Sequence, residues 1–206
     1  AQGRAHYYSM IGIIDKELQR LWTELEDRNL YDDTLIIVTS DHGELLGDHG
    51  LWMKGPFHYE QLVKVPLIMK LPKGHECSKI DTNQTVSLTD VTPTCLSIAG
   101  KAELPDEMDG IDLTCSSKDQ KRTVFVETIQ DWHALNCTTA ISGNMKMTWY
   151  ANEDFGELID LEDDPFEVKN KWDDEGARAV KMKLLSDILN MKVKATWSVK
   201  KRISYA

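Results

Sequence analysis

A chain of 206 residues, 41% hydrophobic and 28% charged, has the make-up of a globular protein able to bury a real core, as one large domain or two small ones. Its formal net charge of -10 argues against a nucleic-acid backbone as partner, and anionic substrates would need local positive groups or a bound cation to approach it. No apolar run reaches the length of a membrane span, and no charged segment followed by an apolar one opens the chain.

The sequence begins without Met and enters a helical pattern almost at once, so it reads as a piece of a longer chain. Tyr8, Ile11, Ile14, Leu18, Leu21 and Leu25 recur every three or four residues, with Lys16, Gln19, Glu24 and Glu26 between them, which predicts an amphipathic helix. A turn follows at 29–33. Residues 34–40, TLIIVTS, are a short β-branched and apolar run that reads as a strand covered on both faces, as in a parallel or mixed α/β sheet. Residues 65–72, VPLIMKLP, read as a second inner strand with proline near either end. In 87–100 a short helix is expected, with Thr89 or Asp90 as N-cap, Pro93 in its first turn and Gly100 as its stop. Residues 123–128, TVFVET, give another strand. The style then changes: TTAIS, KMTWYA and GELIDL, separated by Gly143-Asn144 and by 152–155, predict an antiparallel meander of hairpins. A final helix is expected over 177–194, with Val180, Leu184, Ile188 and Met191 at helical spacing and a basic, solvated end.

Cys77, Cys95, Cys115 and Cys137 have no zinc-site spacing and read mainly as thiols, a disulfide pair being the alternative. The triplets at Asn83 and Asn136 fit glycan acceptors and also arise by chance, so the compartment is not legible.

The chemistry concentrates in residues 40–60, SDHGELLGDHGLWMKGPFHYE, where Asp-His-Gly occurs twice. Asp41 and His42 stand where a strand becomes a loop, the place where α/β sheets put ligand-binding groups, and an acid beside an imidazole can coordinate a divalent cation. Taken alone, the pair reads more simply as a turn with Asp capping local amides. The second triplet, Asp48 to Gly50, has no strand before it and lies between two glycines, where nothing holds it; it reads as a loop.

The whole stretch TLIIVTSDHGELLGDHGLWMKGPFHYEQLVKVPLIMKLP strongly resembles the C-terminal half of the sulfatase family, within the alkaline phosphatase superfamily. YYSMIGIIDKELQRLWTELEDRNLYDDT resembles that family's helix leading into the strand, TDVTPTCLSIAG its Asp-x-x-Pro-Thr helix, and GELIDLEDDPFEVKN its closing segment, so the likeness runs to about Asn170. The resemblance implies an α/β fold: a partial alkaline-phosphatase-like sheet with flanking helices over 1–130, and a small antiparallel-sheet subdomain with a terminal helix over 131–206. It implies that Asp41 and His42 are ligands of the active-site cation, usually calcium, and that Lys54 binds the sulfate group. The Asp-His form is similar to iduronate and choline sulfatases and to phosphonate monoester hydrolases.

His58 reads either as a group that binds substrate or protonates a leaving group, or as a hydrogen-bonded structural histidine. Glu60 is expected to anchor the loop, and His49 to line the pocket mouth away from the metal. The family's nucleophile, a formylglycine matured from the Cys or Ser of Cys/Ser-x-Pro-x-Arg, has no counterpart here, and neither has the N-terminal Asp pair that completes the metal site. The expected partners are a small sulfated substrate and the N-terminal half of the same protein or another chain. The chain alone is expected to be inactive. A phosphonate or phosphodiester hydrolase is the runner-up, ahead of a phosphoethanolamine transferase type, against which Lys54 speaks, and of a non-catalytic accessory module.

Overall fold

The structure is a computed structural model that describes residues 2–75, 84–100, 108–114, 122–129 and 136–200, the last four as backbone. Its contacts fall into two compact units: Ala1–Gly55 with Glu60–Glu76, and Pro56–Tyr59 with Cys77–Ala206. No described helix is long and apolar enough to cross a membrane.

In the first unit, helix α1 (Gln2–Asp27) realises the predicted periodicity. Ion pairs one turn apart, Arg20 with Glu17 and Arg28 with Glu24, add a few tenths of a kcal/mol each. The helix ends where Asn29 turns left-handed (φ 55°) and the amides of Leu30 and Tyr31 both donate to the Leu25 carbonyl. Strand β1 (Ile36–Thr39) pairs antiparallel with β2 (Leu67–Lys70), Ile36 opposite Lys70 and Thr39 opposite Leu67. Lys70 reaches over the Tyr31 ring and donates to the carbonyls of Tyr31 and Thr34, which fixes the entry to β1. The short helix α2 (Glu60–Val63) precedes β2.

Two expectations change here. Ile36, Ile37 and Val38 are half-buried, so β1 is not covered on both faces among the described residues. The stripe of α1 is open as well: Tyr8, Ile11, Ile14 and Leu21 are exposed, and only Tyr7, Leu18, Trp22 and Leu25 are half-buried. A helix of this length extends ~39 Å, whereas two paired strands lie only ~5 Å apart. So narrow a sheet cannot cover it.

The second unit holds α3 (Val91–Ile98) and a four-stranded antiparallel sheet in the order β3 (Val124–Ile129), β4 (Asn136–Ser142), β5 (Met145–Tyr150), β6 (Gly156–Asp160), closed by α4 (Arg178–Lys200). The strand expected over 123–128 forms, but as the edge of this meander. Its alternation explains why: Val124, Val126 and Thr128 face one way, and Phe125, Glu127 and Ile129 the other, which suits a two-faced antiparallel sheet. Gly143 takes φ 58° in the two-residue turn joining β4 to β5. Ala140, Met147 and Leu158 stand side by side across three strands, fully excluded from solvent. Leu184 and Ile188 of α4 close over that row with Phe125, Trp172 and Val180.

Asp90 stands at the N-cap position of α3, one of the two expected, but makes no side-chain cap bond to that helix. Ser87 opens the preceding 3-10 turn at Leu88–Asp90 in a reciprocal capping box with Asp90, which is turned fully inward. Its carboxylate takes both arms of Arg122 and the amides of Ser87 and Ile111, so the buried charge is fully partnered. Cys95 and Cys137 are free thiols; Cys77, Cys115 and Asn83 lie outside the described residues.

Candidate active site

Asp41 and His42 follow the end of β1 directly, as the strand position predicts. The Asp41 carboxylate accepts from the His42 amide at 3.0 Å, and the Ser40 hydroxyl donates to the His42 carbonyl at 2.8 Å, so the turn is tied from both sides. That amide first, and then the electrostatic pull of the neighbouring imidazole, hold the Asp41 carboxyl below its ordinary range. The next residue, Gly43, is required by close approach: its N–H donates to the Leu62 carbonyl at 2.8 Å, and a Cβ there would lie 1.9 Å from the Gln61 carbonyl oxygen. Any side chain at 43 would push the loop off α2.

The His42 ring is oriented by its own backbone. Nδ1 lies 2.8 Å from the Gly43 carbonyl, which can only accept, so Nδ1 carries the proton and Nε2 presents a lone pair. Lys54 Nζ approaches that lone pair at 3.1 Å, and Asp41 Oδ2 lies 3.7 Å from it. The structure therefore brings Asp41, His42 and Lys54 together.

For a cation, Asp41 Oδ2 and His42 Nε2 are a suitable oxygen and nitrogen on one side of the turn. They fit as part of a shell only: no group of three or more His, Cys, Asp or Glu gathers among the described residues, and calcium takes roughly six to eight ligands.

Lys54 ends a loop that begins at Glu44 and is anchored by Leu45, 1% exposed. The loop carries the second triplet. Asp48–Gly50 forms a 3-10 turn with His49 exposed at φ 52°. The expectation that nothing holds this triplet is corrected by Arg4 of α1, whose Nη2 lies 2.8 Å from Asp48 Oδ1 and whose Nε donates to the Leu46 carbonyl at 2.7 Å. Reading the sequence missed Arg4 because its partner is 44 residues away, and no local pattern reports such a distance. Glu60 opens α2, with Oε2 3.7 Å from Lys64 Nζ.

His58 belongs to the second unit, buried on the sheet face opposite α4. Both ring nitrogens are engaged by hydroxyls, Nδ1 by Thr139 at 2.7 Å and Nε2 by Thr128 at 2.9 Å; Thr139 in turn contacts Thr148 at 2.7 Å. The His58 carbonyl accepts from Lys146 at 2.8 Å, and Lys146 also pairs with Glu167, both buried. Burial first, then the Lys146 charge, lowers the imidazole pKa to about 4, so the ring is neutral at physiological pH. Lys146 is a second residue that the sequence does not announce, since a lysine inside a strand ordinarily marks an exposed position.

Comparison with known proteins identifies the family of the chain. The family described as N-sulphoglucosamine sulphohydrolase, C-terminal, matches residues 47–194. The choline-sulfatase of Rhizobium meliloti (strain 1021) is 32% identical over 173 residues, covering 82% of this chain and 33% of the relative. Among solved structures, the phosphonate monoester hydrolase of Agrobacterium radiobacter is 28% identical with a TM-score of 0.76, over 93% of this chain and 41% of that one. A protein solved in complex with its substrate D-glucosamine-2-N,6-O-disulfate is 27% identical with a TM-score of 0.71, over 89% and 39%. The chain thus spans about a third of the length of the curated relatives it matches. A family match over residues 47–194, on a mixed α/β fold with antiparallel sheets, means that the chain belongs to the sulfatases, in the C-terminal domain family of N-sulphoglucosamine sulphohydrolase.

Proposed function

We propose that this chain supplies one wall of the active site of a metal-dependent hydrolase of small sulfate esters. The observation that carries the proposal is the convergence of Asp41, His42 and Lys54, with the lysine ammonium 3.1 Å from His42 Nε2 and Asp41 Oδ2 3.7 Å from it. Asp41 and His42 would hold a divalent cation, calcium by family likeness, whose charge offsets that of the sulfate oxygens when bound. Lys54 binds the same oxygens; as the ester bond breaks and charge moves to the leaving oxygen, a fixed ammonium stabilises it without reorganising. His49, exposed on the same loop, is assigned to the organic part of the substrate. His58, with both nitrogens held by threonines, is assigned the structural of its two roles. The nucleophile, a formylglycine by family likeness, and the remaining ligands would come from sequence beyond this chain, so the chain alone is inactive.

The likeness to a phosphonate monoester hydrolase favours one second reading, a phosphonate or phosphodiester hydrolase, because a cation and a lysine suit either tetrahedral anion.

The test is kinetic and elemental, in the full-length protein. Lys54→Ala should lower kcat/KM for an aryl sulfate ester about a hundredfold, the effect of removing one preorganised charge worth ~3 kcal/mol. His42→Ala should lose the metal by elemental analysis while His49→Ala keeps it. Unchanged turnover in Lys54→Ala would overturn the assignment, and faster turnover of a phosphonate monoester by the wild type would favour the second reading.

A further inference from the structure

We propose that Arg4 and Asp48 are positioning residues for Lys54, a latch by which the first turn of α1 sets the loop that delivers the lysine. The inference rests on the reading of Lys54 as the sulfate-binding group.

The loop needs such a device. Between Leu46 and Met53, five residues have positive φ: Leu46 (50°), Gly47 (90°), His49 (52°), Gly50 (75°) and Met53 (67°). Three of these are not glycine, and the left-handed region disfavours each of them. Internal bonds close the loop on itself, Leu45 N–H to Met53 O at 3.2 Å and Gly47 N–H to Leu51 O at 2.7 Å, yet they do not fix where the closed loop points.

Two attachments to α1 do. The planar fork of Arg4 spans the loop's outward half, one donor on the Leu46 carbonyl and another on Asp48, and a rigid fork with two acceptors fixes direction as well as distance. Gly3 makes the other: a Cβ there would lie 2.8 Å from the Trp52 ring, so the indole packs close against a position that admits no side chain. Trp52 also touches Gly47, where a Cβ would sit 3.3 Å from its ring. Lys54 is two residues further on, with its ammonium 3.1 Å from His42. Direct charge chemistry is not the role of Arg4. Its Nε and one Nη2 donor go to the loop, and its effect on the reaction passes through the place of Lys54.

Arg4 and Asp48 are each about half exposed, so their pair contributes little to global stability. A misplaced charge at a reacting centre is a different matter, since a shift of about 1 Å can cost up to a hundredfold in rate. The expected signature is therefore a loss of catalysis without a loss of fold.

In the full-length protein, Arg4→Gln and Asp48→Ala should each lower kcat/KM for an aryl sulfate ester about tenfold, with melting temperature close to wild type. The double variant should be no worse than either single, because both break one latch. Arg20→Gln, on an exposed part of the same helix, should change nothing. Amide hydrogen exchange at Gly47 and Leu51 should accelerate in both latch variants. Wild-type activity in both, or losses that multiply in the double variant, would overturn the proposal even if the loop exchanges faster. Unchanged exchange would overturn the latch itself, and that readout stands even if the protein turns over no sulfate ester, an outcome that sinks the functional reading separately.

Discussion

At neutral pH His58 is an uncharged ring in a pocket of hydroxyls, and its depressed pKa links folding to acidity. As pH falls, the unfolded chain takes up the proton near the ordinary value of about 6.5, while the folded protein resists it until about 4. The unfolded state binds more protons across that window, so the contribution is whole above 6.5 and fades through it. Between pH 7 and 5 the loss should be about 2 kcal/mol, read from urea midpoints, and His58→Gln should flatten that slope. A wild-type midpoint that does not move between those pH values would mean that the ring charges in place. The sequence holds two readings of His58 open because a histidine's role depends on which atoms meet its nitrogens. Those atoms, on Thr128 and Thr139, are 70 and 81 residues away. Asp41, His42 and Lys54 were singled out on another ground: they lie within one short stretch whose likeness to the sulfatases, and not turn chemistry alone, drew the three together.

Among the elements, α4 and the meander show how far periodicity reaches. Leu184 and Ile188 were expected on the buried face from spacing alone, and they cap the row Ala140, Met147 and Leu158. Leu184→Ala should therefore cost about 3 kcal/mol, transfer plus residual cavity, whereas Met182→Ala, on the exposed side of the same helix, should change stability by less than ~0.5 kcal/mol. Equal effects in denaturant titrations would mean that α4 does not pack as described. The meander was legible because strict alternation and a Gly143-Asn144 turn are local signals. Strand β3 was read as a strand but not as a neighbour of β4, since the sequence between them, QDWHAL at 130–135, holds no dipeptide like Gly143-Asn144 to announce a pairing. The depth of Lys146 was missed because its partners, the His58 carbonyl and Glu167, come from distant segments.

For the molecule as a whole, the open stripe of α1 matters most. Tyr8, Ile11, Ile14 and Leu21 present a contiguous apolar face of a kind that monomeric proteins rarely leave in water. Purified alone, the chain should self-associate in a concentration-dependent way by light scattering, and Ile11→Lys with Ile14→Glu should shift it toward monomer. A wild-type chain that stays monomeric at high concentration would show the stripe to be covered. The grouping of residues has a consequence of another sort. Residues 56–59 belong with 77–206, although Gly55 before them and Glu60 after them belong to the other unit. Neither unit is therefore encoded by one uninterrupted stretch of gene. A protein ended after residue 76 would carry His58 away from both of its threonines, and one begun at 77 would leave Thr128, Thr139 and Lys146 facing an empty slot. Anyone moving the terminal sheet of this chain into another protein has to move that four-residue insert with it, because membership of a unit here follows the hydrogen bonds and not the order of the letters.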